Sequence, residues 1–342
     1  MAEIFKDGKV FIAAELSANH GQSLEVALKT VDAAKEAGAD AIKLQTYTAD
    51  TLTIDCDNEY FQIKGGTVWD GRNLYDLYKE AYTPWEWHEP IKRRADELGL
   101  VFFSTPFDNS AVDFLENLDV PCYKIASFEV TDIPLIEYTA SKGKPMIIST
   151  GIATYEEIEE ALEACRSVGN EDVTLLKCTS AYPARIEDAN LNTIIDMREK
   201  FGVKAGLSDH TIGFEAAAAA VALGAVMVEK HFILDKSIGG PDSSFSMEPE
   251  EFSQMVDVIR NIEKSLGKPT YNTIENPPSG RAFARSIFVV EDVQKGEVFT
   301  PDNVRSVRPS NGLAPKYYKD ILGKKAGEDI KRGTPLSFDL IK

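Results

Sequence analysis

Eight short apolar runs, each ending in polar or charged residues, restrict this chain to very few folds. They are VFIAAEL (10–16), AIKLQT (41–46), VFFSTP (101–106), CYKIAS (122–127), PMIIST (145–150), VTLLKCT (173–179), AGLSDH (205–210) and VMVEKHF (226–232). Each reads as a buried strand. Helical patterns fall between most of them, at 24–37, 84–98, 110–118, 133–141, 155–168, 191–201 and 214–223. Several are followed by glycine (Gly38, Gly99, Gly143, Gly169, Gly224), the residue that best closes a helix. Such βα repeats over residues 1–267 predict an α/β fold, a closed (β/α)8 TIM barrel. An open doubly wound sheet is the alternative, but it needs more helix-covered edges.

Two stretches interrupt the repeat. Residues 47–83 form a long, aromatic-rich connection after the second strand, with a small helix expected at 74–80. A connection of that length on the active-site face of a barrel reads as a wall or lid for a substrate. After the eighth strand come KSIGGPDSSFSMEPEEF and a helix at 250–266. A proline-containing linker follows at 268–280. From 281 to 342 short strand-like pieces alternate with turn residues, predicting a small β-rich domain.

The formal charge of −18 argues against nucleic acid as a partner, because phosphate backbones need a basic surface. An anionic small substrate remains compatible where local lysines outweigh the overall field. No run approaches a membrane span, and the N-terminus has no apolar stretch resembling a secretion signal. Cys56, Cys122, Cys165 and Cys178 show no CxxC spacing, which fits free thiols in a reducing cytoplasm.

In a parallel barrel all strand ends share one rim. The residues there are Glu15; Lys43 and Gln45; Ser104 and Thr105; Lys124 and Ser127; Ser149 and Thr150; Lys177, Thr179 and Ser180; Ser208, Asp209 and His210; Glu229, Lys230 and His231. Three chemistries could use such a set. Lysines with hydroxyls bind a phosphorylated anion. A single lysine forms a Schiff base. Two histidines one βα step apart, His210 and His231, hold a divalent metal with water or a carboxylate. His20 follows the first strand and can face the site, whereas His88 in PWEWHEP is a surface or packing position.

The motifs AELSANHGQ, AIKLQT, STPFD, YKIAS, STGIAT, CTSAYP, GLSDHT and EKHF occur in the order seen in the sialic acid synthases. RSIFVVEDVQKGEVFTPDNVRSVRP resembles their antifreeze-like (SAF) domain, so the resemblance covers nearly the whole chain. WDGRNLYDLYKEAYTPWEWH and GGPDSSFSMEPEEF look most like the pseudaminic acid branch.

The resemblance implies an enzyme that condenses phosphoenolpyruvate with an acylamino sugar aldehyde. It implies metal ligation by His210 and His231, with Mn2+ favoured and Mg2+ able to serve. Phosphoenolpyruvate would be held by Lys43, Thr105, Lys124, Ser127, Ser149, Ser180 and Ser208, with Glu15 in an acid/base role beside His210 and His231. Gln45, Tyr182 and Asp242 would contact the sugar, together with Arg285 inserted from the partner of a domain-swapped homodimer. The implied chemistry is attack of C3 on the aldehyde, addition of water at C2 and loss of phosphate by C–O cleavage. For the pseudaminic acid branch the acceptor is 2,4-diacetamido-2,4,6-trideoxy-L-altrose, whose methyl group asks for an apolar wall, and segment 47–83 is the candidate. Ser180 and Ser243 stand where N-acetylneuraminate synthases carry an asparagine and a histidine, which bears on the acceptor rather than on the condensation. The competing expectations are a legionaminic or N-acetylneuraminic acid synthase, a Schiff-base aldolase, and a non-catalytic sugar- or anion-binding protein.

Overall fold

The eight runs form eight parallel strands that close on themselves in chain order, as described by a computed structural model covering residues 8–271 and 280–342. The strands are β1 (Phe11–Glu15), β2 (Ala41–Thr46), β3 (Val101–Pro106), β4 (Tyr123–Ile125), β5 (Met146–Ser149), β6 (Val173–Cys178), β7 (Lys204–Asp209) and β8 (Met227–His231). The closing pair runs in register from Phe11 opposite Met227 to Glu15 opposite His231. β4 is shorter than its apolar run, because the chain turns into a 3-10 helix at Ser127–Glu129.

All but one of the helices around the barrel follow the expected segments to within a few residues. The exception is the short Ala49–Leu52, started by the Thr48–Thr51 capping box inside the long connection. The helices are α1 (Leu24–Glu36), α2 (Ala49–Leu52), α3 (Leu74–Ala81), α4 (His88–Leu98), α5 (Asn109–Asn117), α6 (Ile133–Ala140), α7 (Tyr155–Ser167), α8 (Asn192–Phe201), α9 (Glu215–Ala222) and α10 (Pro249–Leu266). Local chemistry sets their ends. Ser23 accepts from Val26 N to start α1, and Thr154 with Glu157 forms a reciprocal capping box on α7. Gly99 ends α4 at φ 68°, a left-handed conformation that needs no Cβ.

Period-two alternation divides each strand between two cores. Ile12, Ala14, Ile42, Leu44 and Phe102 point outward into a layer shared with the helices. Phe11, Ala13, Ala41, Phe103, Cys122, Ile147, Leu176 and Met227 fill the barrel interior. Burying each such Leu, Ile, Phe or Met side chain contributes ~1.5–3 kcal/mol, so the two layers fix the strand register. Gly206 belongs to the inner layer, where a Cβ would meet the Met227 carbonyl oxygen at 2.5 Å and Leu176 Cδ2 at 2.8 Å. Towards the carboxyl ends the same inward positions become polar: Glu15, Lys43, Thr105, Lys124, Ser149, Ser208 and Glu229. The apolar interior is thus a plug beneath a polar floor.

The outward parity removes other strand-end residues from that floor. Asp209 and Lys230 form a buried ion pair at 2.7 Å, and Lys177 Nζ donates to the Cys178 carbonyl at 2.6 Å. His88 is a packing residue and not a surface one. It is fully buried, 2.8 Å from Thr46 Oγ1 and edge-on to Phe114.

The chain divides into the units Met1–Gly267 and Lys268–Lys342. Most of the segment expected as a linker, residues 272–279, lies outside the described residues. Among the described residues of the second unit, only β9 (Ser286–Val289) and β10 (Val304–Val307) form a ladder, antiparallel, with a short helix α11 (Tyr318–Ile321). Its other strand-like pieces meet through single bridges such as Val293–Ile330 and Val298–Lys325. Its own core includes Ile287, Val289, Phe299, Val304 and Leu336. No described helix is long and apolar enough to cross a membrane.

Candidate active site

The polar floor is a network of buried charges. Lys43 Nζ lies 2.6 Å from Glu15 Oε2 and 3.7 Å from Glu229 Oε1, and it donates to Thr105 Oγ1 at 3.3 Å. Gln45 Nε2 donates to the other Glu15 oxygen at 3.2 Å, and Ser208 Oγ donates to Glu229 Oε1 at 3.1 Å. Lys124 Nζ, 2% exposed as a residue, donates to Ser149 Oγ at 2.6 Å and to the Ile125 carbonyl at 3.1 Å. Among the described residues no carboxylate lies within 4 Å of that ammonium. A buried cation without such a partner is costly in the empty site and ready for an anion.

Electrostatics follow from the burial. Desolvation pushes the Glu15 carboxyl up to about 7, with Lys43 opposing the rise and Glu229 adding to it. Burial works against the Lys43 charge, yet Glu15 and Glu229 hold its ammonium above the usual range. Lys124 is pulled down by burial. The Cys178 thiol, opposed by burial, is brought down to about 7 by His210.

His210 and His231 stand above the floor with ring centroids 5.3 Å apart. His210 Nδ1 lies 3.0 Å from the Thr179 carbonyl, so in the neutral ring Nδ1 keeps its proton and Nε2 is the electron-pair donor. Both rings are buried, and His231 Nδ1 has no hydrogen-bond partner among the described residues. Among the described residues no group of three or more His, Cys, Asp or Glu side chains is arranged to hold a metal ion. Burial opposes a charge on His210, yet Cys178 and the Thr179 carbonyl raise its pKa above the usual range, so a metal would take the place of the Nε2 proton. A ring oriented through Nδ1 beside a buried ring with an unpartnered nitrogen fits a divalent metal on two protein ligands, with water or substrate in the other positions.

The floor pocket, about 50 Å³, adjoins a cleft of about 320 Å³, and Gln45, Ala126, Tyr182 and His231 line both. The cleft wall is largely aromatic: Tyr47, Trp69, Tyr78, Phe107 and Tyr182, with Asp242 and Glu129 among the polar groups. Segment 47–83 supplies three of those rings, and the Trp69 indole donates to the Pro241 carbonyl at 3.0 Å. Asp242 Oδ2 is 3.7 Å from His231 Nδ1, so the cleft and the histidines meet at that carboxylate.

The structure therefore brings together Glu15, Lys43, Gln45, Thr105, Lys124, Ser127, Ser149, Tyr182, Ser208, His210 and His231 in the floor pocket. Ser180 sits at its edge, its Oγ 4.0 Å from Cys178 Sγ. Gly151 lets these groups converge, because a Cβ there would lie 2.2 Å from Ser180 Oγ and 2.8 Å from Ser127 Oγ. Arg285 belongs to the second unit, exposed, donating to the Ser306 carbonyl at 3.3 Å. His20 lines neither cavity and packs edge-on against Trp87. Glu229 and Cys178 are floor residues to which the sequence reading gave no role, although each lies two positions before an inward strand-end residue. Glu129 was also missed. Its buried Oε2 has no hydrogen-bond partner among the described residues, and burial raises the carboxyl to about 7.

A model of the NeuB family matches residues 30–271, and a SAF domain model matches residues 284–342. The chain belongs to the NeuB family. Among its relatives, the pseudaminic acid synthase of Campylobacter jejuni (serotype O:23/36) is 53% identical over 330 residues, covering 96% of each chain. The N,N'-diacetyllegionaminic acid synthase of Legionella pneumophila is 37% identical over 337 residues, covering 97% of this chain and 94% of that one. Of solved structures, the N-acetylneuraminic acid synthetase of Leptospira borgpetersenii, in complex with citrate, matches with a TM-score of 0.69 and 34% identity. It covers 78% of this chain and 88% of that one. This NeuB-family chain is thus more similar to the pseudaminic than to the legionaminic acid relative by 16 percentage points (53 against 37) over almost the same span.

Proposed function

We propose that this chain is a pseudaminic acid synthase. It condenses phosphoenolpyruvate with 2,4-diacetamido-2,4,6-trideoxy-L-altrose and releases phosphate by C–O cleavage. The observation that carries the reading is the buried two-lysine floor, with one ammonium lacking a carboxylate within 4 Å among the described residues, opening into an aromatic cleft of about 320 Å³. Lys43 and Lys124 receive the phosphate and carboxylate of phosphoenolpyruvate, with Thr105, Ser127, Ser149, Ser180 and Ser208 as neutral partners. The sugar occupies the cleft, with Asp242, Gln45 and Tyr182 at its polar end and the aromatic wall against its methyl group.

C3 of phosphoenolpyruvate attacks the aldehyde carbon, water adds at C2, and the C2–O bond to phosphate breaks. Glu15, near pKa 7 and oriented by Gln45 and Lys43, holds or releases a proton at its carboxyl at neutral pH. A divalent metal on His210 and His231, Mn2+ or in its place Mg2+, would supply Lewis-acid polarisation of the acceptor carbonyl. Positioning of two polar reactants in a water-poor floor supplies the remaining advantage.

The reading includes a homodimer in a cytoplasmic setting. Exposed Ile54, Tyr60, Val68, Phe128, Ile186 and Ile212 lie on connections that follow β2, β4, β6 and β7, around the site's rim. An apolar rim of that kind supports cover by a second copy, whose Arg285 would reach the sugar. Four free cysteines support the reducing compartment.

The test is phosphate release from phosphoenolpyruvate with a panel of acceptors, with Mn2+ and with EDTA. Metal-dependent release with the diacetamido-trideoxy-altrose alone is the expected result. Release with N-acetylmannosamine instead moves the chain to another branch, and no release with any sugar overturns the synthase reading.

A further inference from the structure

Ser17 follows β1 by two residues and has φ 48°, in the left-handed region that a residue with a Cβ seldom adopts. It is 3% exposed and lines the aromatic cleft beside Asp242. Burial raises the Asp242 carboxyl, the neighbouring Ser17 hydroxyl opposes that rise, and the next amide, Ala18 N, donates to Asp242 Oδ2 at 3.4 Å. Asn19 completes the grip. Its Nδ2 donates to the Phe232 carbonyl at 3.0 Å and to Ser246 Oγ at 2.8 Å, and Ser246 Oγ donates to the Asp242 carbonyl at 2.7 Å. Residues 17–19 therefore hold both the carboxylate and the backbone of Asp242.

Glycine would adopt this backbone with no steric penalty, so a turn that served the fold alone would be better built with glycine. Serine at this φ carries strain, and strain that persists in a cleft wall points to a use for the side chain. We propose that Ser17 is a positioning residue for the acceptor sugar. Its left-handed backbone presents the hydroxyl and the Ala18 amide to one carboxylate, which fixes Asp242 to accept from hydroxyl or amide N–H groups of the sugar. The inference rests on the reading of Asp242 as an acceptor contact.

The test compares Ser17→Ala, Ser17→Gly and Asp242→Asn in the full chain. Phosphate release is measured against each substrate in turn, and melting temperature without ligands. Ser17→Ala keeps the strain and loses the hydroxyl, whereas Ser17→Gly loses both. Both are expected to raise KM for the sugar about 10-fold or more, the scale of one hydrogen bond to a charged group, with KM for phosphoenolpyruvate unchanged. Ser17→Gly is expected to melt a few degrees above Ser17→Ala, because only glycine relieves the backbone. An unchanged sugar KM in both Ser17 variants, with a raised one in Asp242→Asn, overturns the role of Ser17 and leaves Asp242 as a contact. An unchanged sugar KM in Asp242→Asn defeats the acceptor reading of Asp242 and the Ser17 proposal with it. Equal rises in both KM values mark general damage and also overturn it.

Discussion

Replacing Lys124 by methionine should weaken phosphoenolpyruvate binding while leaving the empty protein as stable as before, or more so. The ammonium is buried, bonds only neutral oxygens of Ser149 and Ile125, and has no carboxylate within 4 Å among the described residues. Methionine has a similar volume and no charge to desolvate, which recovers a buried-charge penalty on the order of a few kcal/mol. Loss of the Lys124 attraction that, against burial, helps hold the Glu229 carboxylate down offsets part of it. Loss of two hydrogen bonds, at ~0.5–1.5 kcal/mol each, offsets a further part. The apo melting temperature should therefore stay level or rise by up to about 5 °C. Binding changes the other way. A hydrogen bond to a charged group contributes ~1.5–3 kcal/mol, and a partly screened contact at about 4 Å up to ~4 kcal/mol. The corresponding rise in KM for phosphoenolpyruvate is about 10- to 1000-fold. Steady-state phosphate release at saturating sugar measures it, and thermal shift with and without phosphoenolpyruvate gives an independent reading. A KM within about twofold of wild type would refute the reasoning, since one weak neutral bond could account for so little. So would an apo protein that melts far below wild type, because the charge would then be stabilising the fold.

Further outcomes are expected elsewhere. Gly151→Ala should raise KM for phosphoenolpyruvate by about 10-fold or more with little loss of stability, because the new Cβ displaces Ser127 and Ser180 hydroxyls and not backbone; the same kinetic assay checks it. Gly206→Ala should cost about 2–4 kcal/mol in denaturant unfolding, because its Cβ meets the Met227 carbonyl oxygen. Burial holds His20 and His88 down to about 4, so the unfolded chain takes up these protons near pH 6.5 while the fold does not. Stability should then fall as pH drops from about 7 to 4, by up to about 3 kcal/mol per histidine, and His88→Gln should flatten part of the melting-temperature profile.

The fold was legible because each strand declares itself twice, as an apolar run and as a polar end. VFFSTP and AIKLQT became strands with the boundaries read from sequence. Helix ends were legible through Gly99 and its counterparts, which have few other uses. The floor was legible as a set of residue types, and parity could have narrowed it: counting inward from Phe11 or Met227 selects Glu15, Glu229 and His231 and discards Lys230. What stayed hidden depends on contacts between distant segments. Nothing near Ser17 announces a positive φ, Trp69 gives no sign that it reaches Pro241, and Glu129 looks like any acid following an apolar run. His88 looked equally fit for a surface because its burial is decided by Thr46 and Phe114, distant in the chain. In the second unit, pieces such as GEVFT pair through single bridges, which alternation alone does not distinguish from true ladders.

The central claim is that the two-lysine floor receives the phosphoenolpyruvate anion. A crystal structure of the protein soaked with phosphoenolpyruvate tests it most directly. The account predicts anionic oxygens within hydrogen-bond distance of both Lys43 Nζ and Lys124 Nζ, with the aromatic cleft left open for the sugar. Phosphoenolpyruvate seated in that cleft, with Lys124 still bonded only to Ser149 and Ile125, would contradict it.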